Sequence, residues 1–248
     1  MSRPSLRVLS LNAHKGFTFF NRRFVLQELR EAVRAVAADL VFLQEVVGTH
    51  ARHARQHKNW PAAPQYEYLA DTLWSDHAYG RNAVYPHGDH GNALLSRYPI
   101  RSHRNHDASS GRGEARGLLH CVLEVPGGDL HAICVHLGLR ERDRRHQLDL
   151  LCRLIDQEVP ADAPLVVAGD FNDWRKRAHE RLSRCAGLDE VFVAATGQAA
   201  RTFPARWPIL SLDRIYARNA RASRPMVLGA RPWSHLSDHA PLAAELQW

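Results

Sequence analysis

The stretch Leu165-Val166-Val167-Ala168-Gly169-Asp170-Phe171-Asn172-Asp173 joins an apolar run directly to two acids and an amide. Its first four residues read as a strand buried on both faces. Polar side chains at the end of such a strand are costly beside a core unless something pairs with them. The stretch therefore predicts a buried strand that delivers Asp170 and Asn172 to a polar site.

The flanks extend this pattern. Residues 141–159 read as an amphipathic helix, Pro160 and Pro164 bracket a loop, and 174–185 read as a short helix. Toward the N-terminus, 6–12 and 40–46 read as strands around a helix at 22–39, where Phe24, Val25, Leu29, Val33 and Val36 recur at helical spacing. Segments 66–71, 78–85 and 91–100 look like strands. So do 117–125 and 129–137, which Pro126-Gly127-Gly128 should fold into a hairpin. Segments 191–194, 212–218, 225–230 and 239–248 are strand-like. Strands outnumber helices, and helices fall between strand groups. This predicts an α/β protein with two mixed β-sheets packed face to face and helices on the outer faces. No repeat or linker divides the chain, so residues 1–248 are expected to form a single domain.

Hydrophobic residues make up 45% and charged residues 24%, the balance of a soluble globular protein. The first residues lack the apolar run of a signal peptide, and no segment is long enough to span a bilayer; a cytoplasmic protein is expected. Cys121, Cys134, Cys152 and Cys185 lie among apolar residues without metal-ligand spacing, so four reduced, buried thiols are expected. The net charge of +7 suits polyanionic partners such as nucleic acid or phospholipid headgroups, although surface arginines that merely face water would give the same balance. No stable protein partner is implied, and a monomer is expected.

The informative residues sit at strand ends: Asn12, Glu45, His136, Asp170, Asn172, Asp213, Asp238 and His239. Each alone has a bland explanation. Asn12 could cap a turn, Asp213 could pair with Arg214 or Arg218 on the surface, and His136 could be a satisfied core imidazole. Together they point to convergence at one edge of the sheets. Gathered carboxylates repel unless a cation sits among them, and an oxygen-rich set without thiolates suits Mg²⁺, or Mn²⁺ in its place.

The ordered series LNAH, QE, GNALLSRYPI, HL, GDFN, LDRI and SDHAPL, from about residue 6 to residue 246, resembles the endonuclease/exonuclease/phosphatase superfamily. That group includes deoxyribonuclease I, abasic-site endonucleases, neutral sphingomyelinases and inositol polyphosphate phosphatases. The resemblance implies a four-layer α/β sandwich. It also implies a divalent-metal-dependent hydrolysis of a phosphodiester, in nucleic acid or phospholipid, by in-line attack of water. By position it makes Glu45 the principal metal ligand, with Asn12 beside it and Asp238 near this or a second ion. Asp170 orients or deprotonates the water or assists the leaving group, Asn172 binds phosphate, His239 contacts phosphate and handles a proton, Asp213 holds His239, and His136 fills the hairpin histidine position. One departure is His14, where some abasic-site endonucleases carry Asp; an imidazole there lowers the negative charge and argues against a two-metal scheme. Arg116, Asn82, His90 and Asn92 are further candidates for substrate contact. The alternative function is a catalytically inactive protein of the same fold that binds phosphate polyanions.

Overall fold

The computed structural model describes residues 5–111 and 113–248. In chain order the elements are β1 (Ser5–Asn12), α1 (Leu26–Val36), β2 (Leu40–His50), α2 (Ala51–Gln56), α3 (Gln65–Ala70), β3 (Asp76–Tyr85), β4 (Gly88–Ser96), β5 (Ile100–Asp107), β6 (Gly117–Val125), β7 (Gly128–His136), α4 (Glu141–Glu158), β8 (Leu165–Asp170), α5 (Ala178–Ala186), β9 (Asp189–Glu190), α6 (Val191–Thr196), β10 (Asp213–Arg218), β11 (Arg221–Val227) and β12 (Leu242–Gln247).

Two mixed sheets of six strands result, ordered β11-β12-β1-β2-β4-β3 and β5-β6-β7-β8-β10-β9. Each contains one parallel pair: β1 with β2, and β7 with β8. Parallel neighbours need a crossover, and α1 and α4 supply it. The strands of these pairs are buried on both sides because each face meets a different core. In β1, Leu6 and Val8 face the other sheet, whereas Leu9 and Leu11 face the helical layer. In β8, Val166 and Ala168 join the core between the sheets, and Leu165 and Val167 pack under α4 and α5. The amphipathic helix α1 buries Leu26, Leu29, Ala32 and Val33 on its inner stripe. Among the described residues no helix is long and apolar enough to cross a membrane.

Three local expectations fail. Segment 66–71 is largely the helix α3, and 191–194 lies in the helix α6 rather than a strand. Both are short apolar runs, for which periodicity cannot tell strand from helix, and packing decides. The third concerns the cysteines. Cys121 and Cys134 are free and buried. Cys152 and Cys185 instead form a disulfide, with Cα atoms 5.9 Å apart. It links α4 to α5, and which faces of two helices meet is a tertiary fact that the spacing of cysteines does not carry. Because the link closes a sequence separation of 33, replacing both cysteines by serine should lower stability by about 2–4 kcal/mol. Urea unfolding would measure this; an unchanged midpoint would mean that the two thiols are not joined in solution.

Candidate active site

The parallel pairs place their carboxyl ends on one side of the two-sheet stack. Asn12 closes β1 beside Gln44 of β2, and Glu45 follows. His136 closes β7 in register with Asp170, which closes β8, and Asp213 opens β10 opposite Asp170. Asp238 and His239 lie in the turn that leads into β12, the neighbour of β1. Both sheets thus deliver polar side chains to one crevice at the strand ends, the usual location of sites in layered α/β proteins.

The contacts run without a gap. Asn12 Nδ2 donates to Glu45 Oε1 at 3.2 Å and reaches Asp170 Oδ2 at 3.4 Å. His239 Nε2 lies 3.8 Å from the same Asp170 oxygen, while its Nδ1 donates to Asp213 Oδ2 at 2.8 Å. His136 Nε2 sits 3.5 Å from the same Asp170 Oδ2. The Asn172 backbone N–H donates to Asp170 Oδ1 at 2.8 Å, and its side-chain amide donates to Leu137 O at 2.9 Å. Asn12, His136, Asp170, Asn172, Asp213 and His239 are all buried, whereas Glu45 and Asp238 are half-buried and face the opening.

Burial sets the electrostatics. It pushes the Asp170 carboxyl up to about 7; His239 opposes this rise, and Asp213 and Glu45 add to it. Burial disfavours a charged His239 ring, but Asp213 and then Asp170 outweigh it and raise its pKa to about 10. His239 is therefore a cation at neutral pH. His136 is the reverse: burial, then the Arg116 guanidinium, hold its pKa well below the ordinary value. Arg116 NH1 lies 3.5 Å from His136 Nδ1. A guanidinium only donates, so Nδ1 accepts and the ring proton sits on Nε2, facing Asp170.

The residues also fit a metal. Glu45, Asp170 and Asp238 offer carboxylate oxygen from three segments with no thiolate among them, a donor set for a hard ion, while Asn12 turns its amide nitrogen toward Glu45 and Asp170 and its oxygen accepts from the His14 N–H. Glu45 has φ +53°, at a register shift between Leu43 and Val46 where β2 bulges away from β4. Such left-handed backbone is rare for a glutamate and aims its carboxylate out of the ladder. Asp170, Asp213 and His239 also bring ligand-type atoms within 4.8 Å of one another, but there the Asp213–His239 hydrogen bond already engages two of the three. His14 Nδ1 lies 3.2 Å from Asp238 Oδ1. Although burial alone would raise it, the Asp238 carboxyl is held low, with the His14 hydrogen bond the larger opposing cause. The His14 imidazole thus pairs with one of the carboxylates of the crevice.

The remaining candidates divide. Arg116 belongs to a chain of contacts that ends at the site: Glu114 lies 3.0 Å from both Arg116 NH1 and His90 Nε2. Asn92 is buried and donates to Gly117 O and Cys134 O, bridging the sheets. Asn82 accepts from Asn105 at 2.9 Å between β3 and β5. The amides of Asn82 and Asn92 are thus engaged with neighbouring strands. Ser237, Glu114 and Lys15 are site residues that sequence reading missed. Ser237 Oγ donates to Asn12 O at 2.6 Å and accepts from the His239 N–H at 3.2 Å, tying β1 to the histidine turn. Lys15 Nζ lies 3.7 Å from Glu45 Oε2. The position of Ser237 inside SDH was the one available signal. Beside Asp238 opens a cleft of about 500 Å³ whose walls include Phe20, Arg22, Arg206 and Trp207.

The sequence profile described as the Endonuclease/Exonuclease/phosphatase family matches residues 9–239. The protein YbhP of Escherichia coli strain K12 is 57% identical over 244 residues, spanning 98% of this chain and 96% of YbhP. The Shigella flexneri YbhP matches to the same extent. Among solved structures, an endonuclease/exonuclease/phosphatase from Beutenbergia cavernae superposes with a TM-score of 0.77 at 21% identity, covering 99% of this chain and 72% of that one. A humanized D. rerio TDP2 gives 0.73 at 20% identity over 98% and 99% of the two chains. The mannosyl-6-phosphatase Bt3783 of Bacteroides thetaiotaomicron gives 0.73 at 15% identity over 98% and 100%. At these identities the structural likenesses establish the fold.

Proposed function

Because this chain belongs to the Endonuclease/Exonuclease/phosphatase family, whose members hydrolyse phosphoester bonds, we propose that it is a divalent-metal-dependent phosphodiesterase using an activated water. The observation that carries this reading is the unbroken row Glu45, Asn12, Asp170, His239, Asp213. Residues from both sheets build it at one edge. A pure binding protein has no use for an imidazolium held by a buried carboxylate beside a second carboxyl with a pKa near 7.

Glu45 and Asn12, with Asp238 at the rim, are the residues that would hold Mg²⁺ or Mn²⁺. When bound, that ion supplies positive charge to the non-bridging phosphate oxygens. The rest falls to the protein. His239 presents Nε2–H and a positive charge to the phosphoryl group, with Asp213 fixing its tautomer and orientation. Asp170 takes the proton of the attacking water, since a base works best with a pKa near the working pH. Its Oδ1 is pinned by the Asn172 N–H, and Oδ2 is the oxygen turned toward Asn12, His136 and His239. Asn172 has a second amide hydrogen for phosphate. The neutral His136 ring turns its Nε2–H toward Asp170 Oδ2, and the Arg116 guanidinium behind that ring adds positive potential. The aromatic and arginine walls of the cleft beside Asp238 suit a diester whose leaving group carries a base or an apolar chain.

The test is hydrolysis of bis-p-nitrophenyl phosphate with Mg²⁺ or Mn²⁺, followed by plasmid DNA, RNA, sphingomyelin and cardiolipin. Turnover that disappears in chelator is expected. Tight polyanion binding with no hydrolysis of any substrate would instead favour an inactive binder.

A further inference from the structure

A second set of ligand-type side chains lies away from this crevice, on the outer face of the β5–β6–β7 sheet. His106 on β5 is paired with Leu118, and His120 on β6 is paired with Ile133. Leu118 and Ile133 pack beneath α4. The alternation of strands therefore puts His106 and His120 on that same helix-facing side. The last residue of α4, Glu158, comes down between them.

The geometry points to a zinc site: we propose that His106 Nε2, His120 Nδ1 and Glu158 Oε2 bind Zn²⁺ with one position left for water. Both histidine nitrogens lie 3.4 Å from Glu158 Oε2. Two ligand atoms at about 2.0–2.1 Å from a tetrahedral zinc ion are themselves about 3.3–3.4 Å apart. The ligand-type atoms of all three residues fall within 4.8 Å of one another. Two imidazoles and one carboxylate favour zinc over magnesium or calcium. His106 Nε2 is screened from solvent and, beyond Glu158 Oε2 at 3.4 Å, makes no hydrogen bond among the described residues, so an ion shared with that carboxylate would engage it fully.

The outer shell is also in place. His120 Nε2 and His131 Nδ1 are 2.9 Å apart. When His120 Nδ1 binds a metal, Nε2 carries the proton and donates to His131, the arrangement that fixes the tautomer of a metal-bound histidine. Arg104 NH1 lies 3.8 Å from the other carboxylate oxygen, Oε1, and leaves Oε2 to the site. The end of a helix, with its free carbonyls, favours a cation at that place.

The experiment uses the full chain, stripped with chelator and titrated with Zn²⁺ by calorimetry, with Co²⁺ absorption as a second readout. The Glu45→Gln variant removes the principal carboxylate of the crevice and isolates the outer site. One tight Zn²⁺ equivalent should persist in Glu45→Gln, with the strong visible bands of tetrahedral cobalt. In that background, His106→Ala and Glu158→Gln should each weaken it by about 100-fold or more, and His131→Ala by about 10–100-fold, as for an outer-shell partner. His106 and Glu158 are partly exposed, so these two variants test the site even if His120→Ala fails to fold. Loss of all Zn²⁺ binding in Glu45→Gln, or undiminished binding in both His106→Ala and Glu158→Gln, would overturn the proposal. Because the readout is metal stoichiometry, it is independent of any phosphodiesterase activity.

Discussion

Replacing His239 by alanine is expected to lower kcat on bis-p-nitrophenyl phosphate by about 10³–10⁴-fold while the protein remains folded. The ring is buried, yet its one strong partner is Asp213 at 2.8 Å, so its loss removes charge and proton chemistry more than packing. Asp213→Asn separates these roles. Asp213 is the main group raising the His239 pKa, ahead of Asp170, against the effect of burial. Without that charge the ring deprotonates at lower pH. If protonated His239 is the active form, activity falls on the alkaline side, and in Asp213→Asn this limb should move toward neutrality. A pH–rate profile of the two proteins measures it. An unmoved limb, or near-normal turnover in His239→Ala, would remove His239 from the mechanism.

Asp170→Asn should be nearly as damaging, with kcat reduced by about 10²–10⁴-fold, because the amide keeps the shape but cannot accept the proton of water. It also gives a second readout free of substrate. The buried carboxyl has a folded pKa of about 7 against an ordinary value of 3.8. A raised pKa means that the folded state binds the proton more tightly than the unfolded one. In chelator, this group's contribution to stability therefore declines as pH rises from about 4 to about 7. The asparagine variant lacks that decline. Its thermal midpoint relative to the unmodified protein should rise across this window and level off above it. A constant difference from pH 4 to pH 8 would show that Asp170 ionises freely in the folded protein.

Much of this site is legible in the chain because its residues occupy strand ends. A buried strand such as 165–170 can be read from its apolar run, and the polar residues that follow must lie at its edge. That logic predicts Asn12, Glu45, His136, Asp170 and Asp213 on a common side of two stacked sheets. It is silent where position depends on partners distant in sequence. Glu114 enters the neighbourhood through Arg116 and His90, and Ser237 through the carbonyl of Asn12. Nothing local to either residue announces this. The Cys152–Cys185 link and the His106, His120, Glu158 group arise in the same way, from the seating of α4 against α5 and the sheet. Segments 66–71 and 191–194 failed for a different reason: both are too short for their periodicity to speak.

The left-handed backbone of Glu45, with Asn172 at +49° and His14 and Lys15 at +43° and +56°, has a consequence for engineering. Each such residue holds a conformation that glycine adopts more readily. A library screened only for heat resistance would thus be drawn toward glycine at position 45, since relief of the backbone there rewards the fold. The survivors would melt later and lose the carboxylate. Screens on this scaffold need an activity gate, or thermal improvement will erode the feature that makes the crevice useful.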